Sequence, residues 1–122
     1  MQYLLLIYSN EQNVRNGMTE DEAAKMSKEY GTYTESIAKS GHYKGGNRLH
    51  PTKSATSVRV RDGKRQTTDG PFAETREQLG GYYLVDAKDL DEAIGLAERI
   101  PGARVGTIEV RPIAPGPNAT SA

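Results

Sequence analysis

Two segments with helical spacing, set among runs that alternate or are continuously apolar, do most to limit what this chain can fold into. Thr19 and Glu22 stand at capping-box spacing, in which side chains satisfy backbone N–H groups left without partners at a helix start. Behind them Met26, Tyr30, Tyr33 and Ile37 recur at steps of four, three and four. That is one helical face, and it extends to about Ser40, where Gly41 stops it. Gly31 weakens the middle of this helix by roughly 1 kcal/mol against Ala, so packing has to carry that turn. Asp89 and Glu92 open a second helix, with Leu90, Ala93, Ile94 and Ala97 as its expected buried face and Pro101-Gly102 as its stop.

Between and around these helices the periodicity changes. Residues 3–8 are continuously apolar, which suits a strand covered on both faces. Residues 9–18 are polar, contain Asn13, Asn16 and Gly17, and read as a loop. Residues 42–50, with Gly45-Gly46, read as a short irregular strand or loop closed by Pro51. Val58 and Val60 alternate with Arg59 and Arg61, Asp62-Gly63 is a favoured two-residue hairpin turn, and residues 64–68 return as the partner strand. Residues 81–86 form a further strand. In the last, residues 107–111, Ile108 and Val110 oppose Thr107, Glu109 and Arg111.

The order strand, helix, strand, hairpin partner, strand, helix, strand predicts an α+β, ferredoxin-like domain, βαββαβ with an added hairpin strand. Its antiparallel sheet carries two helices on one face. The other face stays open, and in a small protein such a face meets a second copy or walls a cavity. The apolar fraction of 35% implies a small core, which also favours burial in a homodimer. The domain is expected to span residues 1–113, with a flexible tail over 114–122; the sequon Asn118-Ala119-Thr120 in that tail is read as chance.

Charge and cysteine content exclude several function classes. Sixteen Lys and Arg balance sixteen Asp and Glu, so nothing argues for nucleic acid or an anionic membrane as partner. With no Cys, disulfides and thiolate metal sites are excluded. The opening residues lack a basic leader and a cleavage site and are too few to span a bilayer, so a cytoplasmic protein is expected. No metal or cofactor is expected either.

Residues 68–83 depart from every surrounding pattern, packing Asp69, Glu74, Glu77, Pro71, the only Phe (Phe72) and three Gly between two strands. Asp69-Gly70-Pro71-Phe72-Ala73-Glu74-Thr75-Arg76-Glu77-Gln78-Leu79-Gly80-Gly81-Tyr82-Tyr83 resembles the signature of the DGPF-domain family of YCII-related proteins. The resemblance extends to residues 3–8, the hairpin at 58–63 and Val110-Arg111-Pro112, and so covers nearly the whole chain. It implies a dimeric α/β barrel, in which two ferredoxin-like protomers join their open sheet faces. It also implies an active site built on an Asp, here Asp69, and a His expected in the first helix. That helix has no His, which leaves His42 and His50 as candidates. Some members of the family are joined to, or encoded beside, alternative sigma factors.

The candidate residues each carry two readings. Asp69 before Gly-Pro is a good turn former and also a possible general base. His42 and His50 suit proton transfer but are equally ordinary loop residues. Arg59 and Arg61 share a strand face and make an anion clamp if that face lines a cavity, or edge protection if it meets solvent. Glu74 and Glu77 share a face if Thr75 and Gln78 start a helical turn; they then offer ligand contacts or a solvated acidic surface. Tyr82 and Tyr83 point to opposite faces of their strand, one to the core and one to the open face, where it would meet a ligand.

Two functions follow. In the first, a homodimer binds a small anionic metabolite, with Asp69 as base, His42 or His50 as its partner, and Arg59, Arg61, Phe72, Glu74, Glu77 and Tyr82 around the ligand. In the second, the chain is a non-catalytic interaction or regulatory module linked to transcription, with Phe72 central to the contact.

Overall fold

The computed structural model describes residues 1–116. Six strands and three α-helices run in the order β1 (Gln2–Ser9), α1 (Glu11–Gly17), α2 (Glu20–Lys39), β2 (Tyr43–Arg48), β3 (Thr56–Arg61), β4 (Lys64–Asp69), β5 (Gln78–Asp86), α3 (Leu90–Glu98) and β6 (Thr107–Pro112). Short 3-10 turns lie at Thr52–Ser54 and Pro101–Arg104. Four strands form an antiparallel sheet in the order β2-β5-β1-β6. This is the ferredoxin-like plan, with β1 at the centre as its apolar run requires.

The core lies between one face of this sheet and helices α2 and α3. Tyr3 and Leu5 of β1 and Tyr83 and Val85 of β5 meet Tyr33 and Ile37 of α2 and Ala93, Leu96 and Ala97 of α3. Ile108 and Val110 of β6 pack against the same cluster, as their alternation predicts. The rings of Tyr33 and Tyr83 meet edge to face at 5.3 Å. Gly46 of β2 leaves room for this arrangement, because a Cβ there would stand 3.0 Å from the Tyr83 ring and 2.9 Å from the Tyr82 carbonyl oxygen.

Both long helices begin where their sequences place them. The Thr19 hydroxyl accepts the Glu22 N–H at 3.1 Å and donates to the Glu22 carboxylate, also at 3.1 Å. Asp89 accepts the Glu92 N–H at 2.9 Å. The buried face of α3 differs from the expected one: Ala93, Leu96 and Ala97 point inward, while Leu90 and Ile94 are exposed. Ile100 and Tyr33 pull the helix onto the Leu96 side, an orientation that the spacing of its apolar residues leaves undecided.

Two further expectations are corrected. The polar stretch before Thr19 contains α1, a helix without an apolar stripe; it is capped by Asn10, which accepts the Asn13 N–H at 3.0 Å. The hairpin β3-β4 forms its own two-stranded sheet and does not extend the main one. Its turn is as expected, with Asp62 and Gly63 at φ 53° and 73°, both positive as a tight hairpin turn demands. The expected tail falls partly, and the sequon wholly, outside the described residues.

Candidate functional site

The segment 69–83 begins at the base of the hairpin arm and ends inside the main sheet. Gly70, at φ 95°, turns the chain; its N–H donates to Ala55 at 2.7 Å and its carbonyl accepts the Ser57 hydroxyl at 2.8 Å. Residues 71–77 are irregular, so Thr75 and Gln78 start no helical turn and Glu74 and Glu77 share no helical face. Side chain to backbone bonds organise the segment instead. The Thr75 hydroxyl donates to the Glu77 carbonyl at 2.6 Å, and the Gln78 amide donates to the Thr75 carbonyl at 2.7 Å.

The same segment is fastened to α1 and β6. Asn10 donates to the Arg76 carbonyl at 3.2 Å, and the Glu11 N–H donates to the Gln78 side chain at 2.9 Å. Thr107 donates to the Glu77 carboxylate at 2.8 Å. Glu11 in turn accepts both the N–H and the hydroxyl of Thr52, at 2.9 and 2.8 Å, which anchors the turn leading into the arm. Neutral and charge-assisted bonds of this kind, shared between three elements, hold an irregular loop in one conformation.

A cleft of about 630 Å³ opens between α1, the start of α2 and this loop, lined by Asn10, Asn13, Val14, Met18, Arg76, Glu77 and Val105 among others. Its size is that of a small-molecule site. Glu77 is engaged by Thr107, and Glu22, also at the wall, by Thr19. Among the described residues the Arg76 guanidinium makes no hydrogen bond and no ion pair. A smaller cleft of about 260 Å³ lies on the arm, lined by Ser57, Arg59, Gln66, Thr68, Pro71 and Phe72.

Asp69 is exposed and lines neither cleft. It pairs with Thr56 in the hairpin register, which puts it on the valine face with Val58 and Val60. Arg59 and Arg61 occupy the opposite face, so within one protomer the Asp and the arginines are separated by the thickness of the hairpin. Phe72 is 79% exposed at the rim of the smaller cleft. Glu74 is exposed.

The two histidines stand beyond opposite ends of β2. A six-residue strand separates them by roughly 20 Å at about 3.3 Å per residue. His42 is held by Ser40 at 2.6 Å and Glu92 at 3.1 Å. The Glu92 carboxyl lies below its ordinary range, chiefly because the Lys88 N–H donates to it, with His42 adding a further donor. His50 precedes the Thr52–Ser54 turn, at the end of the sheet from which the arm departs.

Tyr82 lies on the open sheet face, as one tyrosine of the pair was expected to, and accepts a hydrogen bond from Asn47 at 2.9 Å. Leu4 and Leu6 of β1 and Leu84 of β5 share that face, since Leu4 pairs with Leu84 and Leu6 with Tyr82. Sequence reasoning passed over Asn10, Glu11, Asn13, Arg76 and Val105. Only Asn10 carried a local signal, as a helix-capping residue type.

Residues 1–116 match the profile of the YCII-related domain. The chain is also 35% identical over 116 residues, 93% of each chain, to an uncharacterized protein of Rhizobium meliloti (strain 1021). No helix among the described residues is long and apolar enough to cross a membrane.

Proposed function

The chain belongs to the YCII-related domain family, and from that premise we propose a homodimeric protein that binds a small, anionic metabolite in the cleft beside α1. The observation that carries this reading is Arg76: a guanidinium without a partner among the described residues, on the wall of a cleft of small-molecule size. Arginine presents a planar fork that suits a carboxylate or phosphate. Asn10 and Asn13 offer orienting polar groups, and Val14, Met18 and Val105 an apolar wall for the body of the ligand. Asp69 lines neither cleft, which supports binding without acid–base chemistry centred on it. The homodimer is supported by the sheet face turned away from α2 and α3, where Leu4, Tyr82 and Leu84 stand half-buried beside the buried Leu6.

The test is a thermal-shift screen of carboxylate and phosphate metabolites against the wild type and Arg76→Gln. A ligand that binds the folded state alone stabilises it by about 2.7 kcal/mol at a hundredfold excess over Kd. We expect hits for the wild type that vanish in an equally well folded variant. Hits of equal size in both would refute Arg76 as the anchor. A second reading, an interaction or regulatory module without a ligand, is favoured by Phe72 alone, a large aromatic side chain left 79% exposed. Under it the screen returns no hit for either protein.

A further inference from the structure

The hairpin arm presents a problem of its own. A two-stranded sheet is marginal in water unless a third element covers it. Here β3 and β4 pair with each other and with no strand of the main sheet. Val58 and Val60 are 59% and 61% exposed on the same face. We infer that this valine face is a contact surface for a second copy of the chain, packing hairpin against hairpin about a two-fold axis.

The register determines how that contact would be built. The valine face carries three cross-strand pairs: Thr56 with Asp69, Val58 with Thr67, and Val60 with Arg65. A two-fold axis running across the strands, along the line from Val58 to Thr67, lays each strand over its own copy in the reverse direction. Val58 and Thr67 then meet their own counterparts, and Val60 covers Thr56 of the other copy. Arg65 and Asp69 lie on β4 two residues to either side of Thr67, so Arg65 of each copy faces Asp69 of the other. The face is therefore self-complementary in shape and in charge, as a two-fold contact requires. A two-fold axis along the strands, midway between them, would instead lay each residue over its cross-strand partner in the other copy, with Arg65 on Val60 and Asp69 on Thr56, and leave both charges without a counter-charge.

The opposite face of the arm does not have this property. Its pairs are Ser57 with Thr68, Arg59 with Gln66 and Arg61 with Lys64, and it carries three cations and no carboxylate. That face resists self-pairing and stays wet. Asp69 thereby gains a role that its exposure alone leaves open: it is the acid that fixes the register of the contact. The contact is separate from the open-face pairing and from the ligand cleft, and it stands or falls without them.

The chain contains no Cys, so a single introduced thiol reports on one position. Thr67→Cys puts a thiol on the axis, and Gln66→Cys puts one on the other face as control; both sites are exposed, and far-ultraviolet circular dichroism verifies that each variant folds. Under mild oxidation at micromolar concentration, the Thr67→Cys protein is expected to give covalent dimer at least ten times faster than the Gln66→Cys protein. Adding Arg65→Asp or Asp69→Arg to Thr67→Cys should slow that reaction, and the two together, which restore the pair with its signs exchanged, should recover it. Equal rates at positions 66 and 67, or a double swap no faster than either single change, would overturn the contact. The same comparison in a Leu84→Glu background separates the two surfaces. Crosslinking that persists there supports the hairpin contact whatever becomes of the open-face dimer, and crosslinking that disappears overturns it as a separate surface.

Discussion

Tyr33 tests how α2 and α3 are joined. Its side chain is 5% exposed, and its hydroxyl donates to the Leu96 carbonyl at 2.7 Å. Leu96 lies in the last turn of α3, where carbonyls run out of N–H partners. Tyr33→Phe keeps the ring, its edge-to-face contact with Tyr83 and its place beneath the Arg99 guanidinium, and removes the donor alone. A net hydrogen bond is worth about 1 kcal/mol, and leaving a buried carbonyl unpaired adds to that, so the loss should be about 2 kcal/mol. For 122 residues the unfolding entropy near Tm is about 0.26 kcal/mol/K, so Tm should fall by about 8 °C.

Titration supplies a second readout for the same residue. Burial raises the Tyr33 pKa well above its ordinary 10.0. A group raised in the folded state contributes stability that is complete below its unfolded pKa and is lost as pH climbs towards the folded one. Above about pH 10, therefore, each such tyrosine should cost about 1.4 kcal/mol per pH unit. Burial also raises Tyr30 and Tyr83, so the wild type should lose stability steeply in alkali, and Tyr33→Phe less steeply by one tyrosine's share. The assay is thermal melting by circular dichroism from pH 7 to 11. A fall in Tm under about 2 °C at pH 7, together with an alkaline limb unchanged from the wild type, would refute the reasoning.

Three further outcomes follow from features already described. Leu84→Glu, at the centre of the open face, should remove one of the two contacts between copies, so the variant should sediment as a smaller assembly than the wild type; a variant that sediments like the wild type sinks the open-face pairing. Gly63→Ala should cost about 1 kcal/mol, because φ is 73° there and a side chain is strained in that region; chemical denaturation that shows no loss would place the strain elsewhere. The Glu92 carboxyl is lowered, so its contribution is present above the unfolded carboxylate range and fades as pH falls through the folded value. Glu92→Gln should therefore flatten the acid limb of a Tm-against-pH curve below about pH 5, and an unchanged limb would count against it.

How far the fold could be read ahead of the structure depends on which elements carry their own instructions. Thr19 and Asp89 cap their helices locally, and Asp62-Gly63 sets its turn locally, so all three were legible from short windows. Helix α1 was not, because only Val14 among its seven residues is a large apolar one; the helix is held from outside, by Gln78 at its first N–H. The hairpin was legible as a hairpin, but nothing in a two-residue alternation states which sheet it joins. The site divides in the same way. The signature marked the irregular segment, whereas its ties to α1, Asn10 to the Arg76 carbonyl and the Glu11 N–H to Gln78, join residues more than sixty positions apart in the chain. Asp69 and Arg59 drew attention as chemistry, and register alone placed them on opposite faces.

The position of β1 has a consequence for how the domain comes into being. Its partners are β5 and β6, so Tyr3 waits for Val85 on one side and Pro112 on the other. Closing loops of that length is slow, while a hairpin such as β3-β4 forms in about 1–10 μs. During synthesis the arm can therefore be complete while β1, the most apolar stretch of the domain, still has both edges bare. Bare apolar edges invite pairing with other chains. The time spent in that condition is set by how soon β5 and β6 arrive, and a chaperone that shields residues 3–8 over that interval would raise the folded yield without touching the stability of the finished protein.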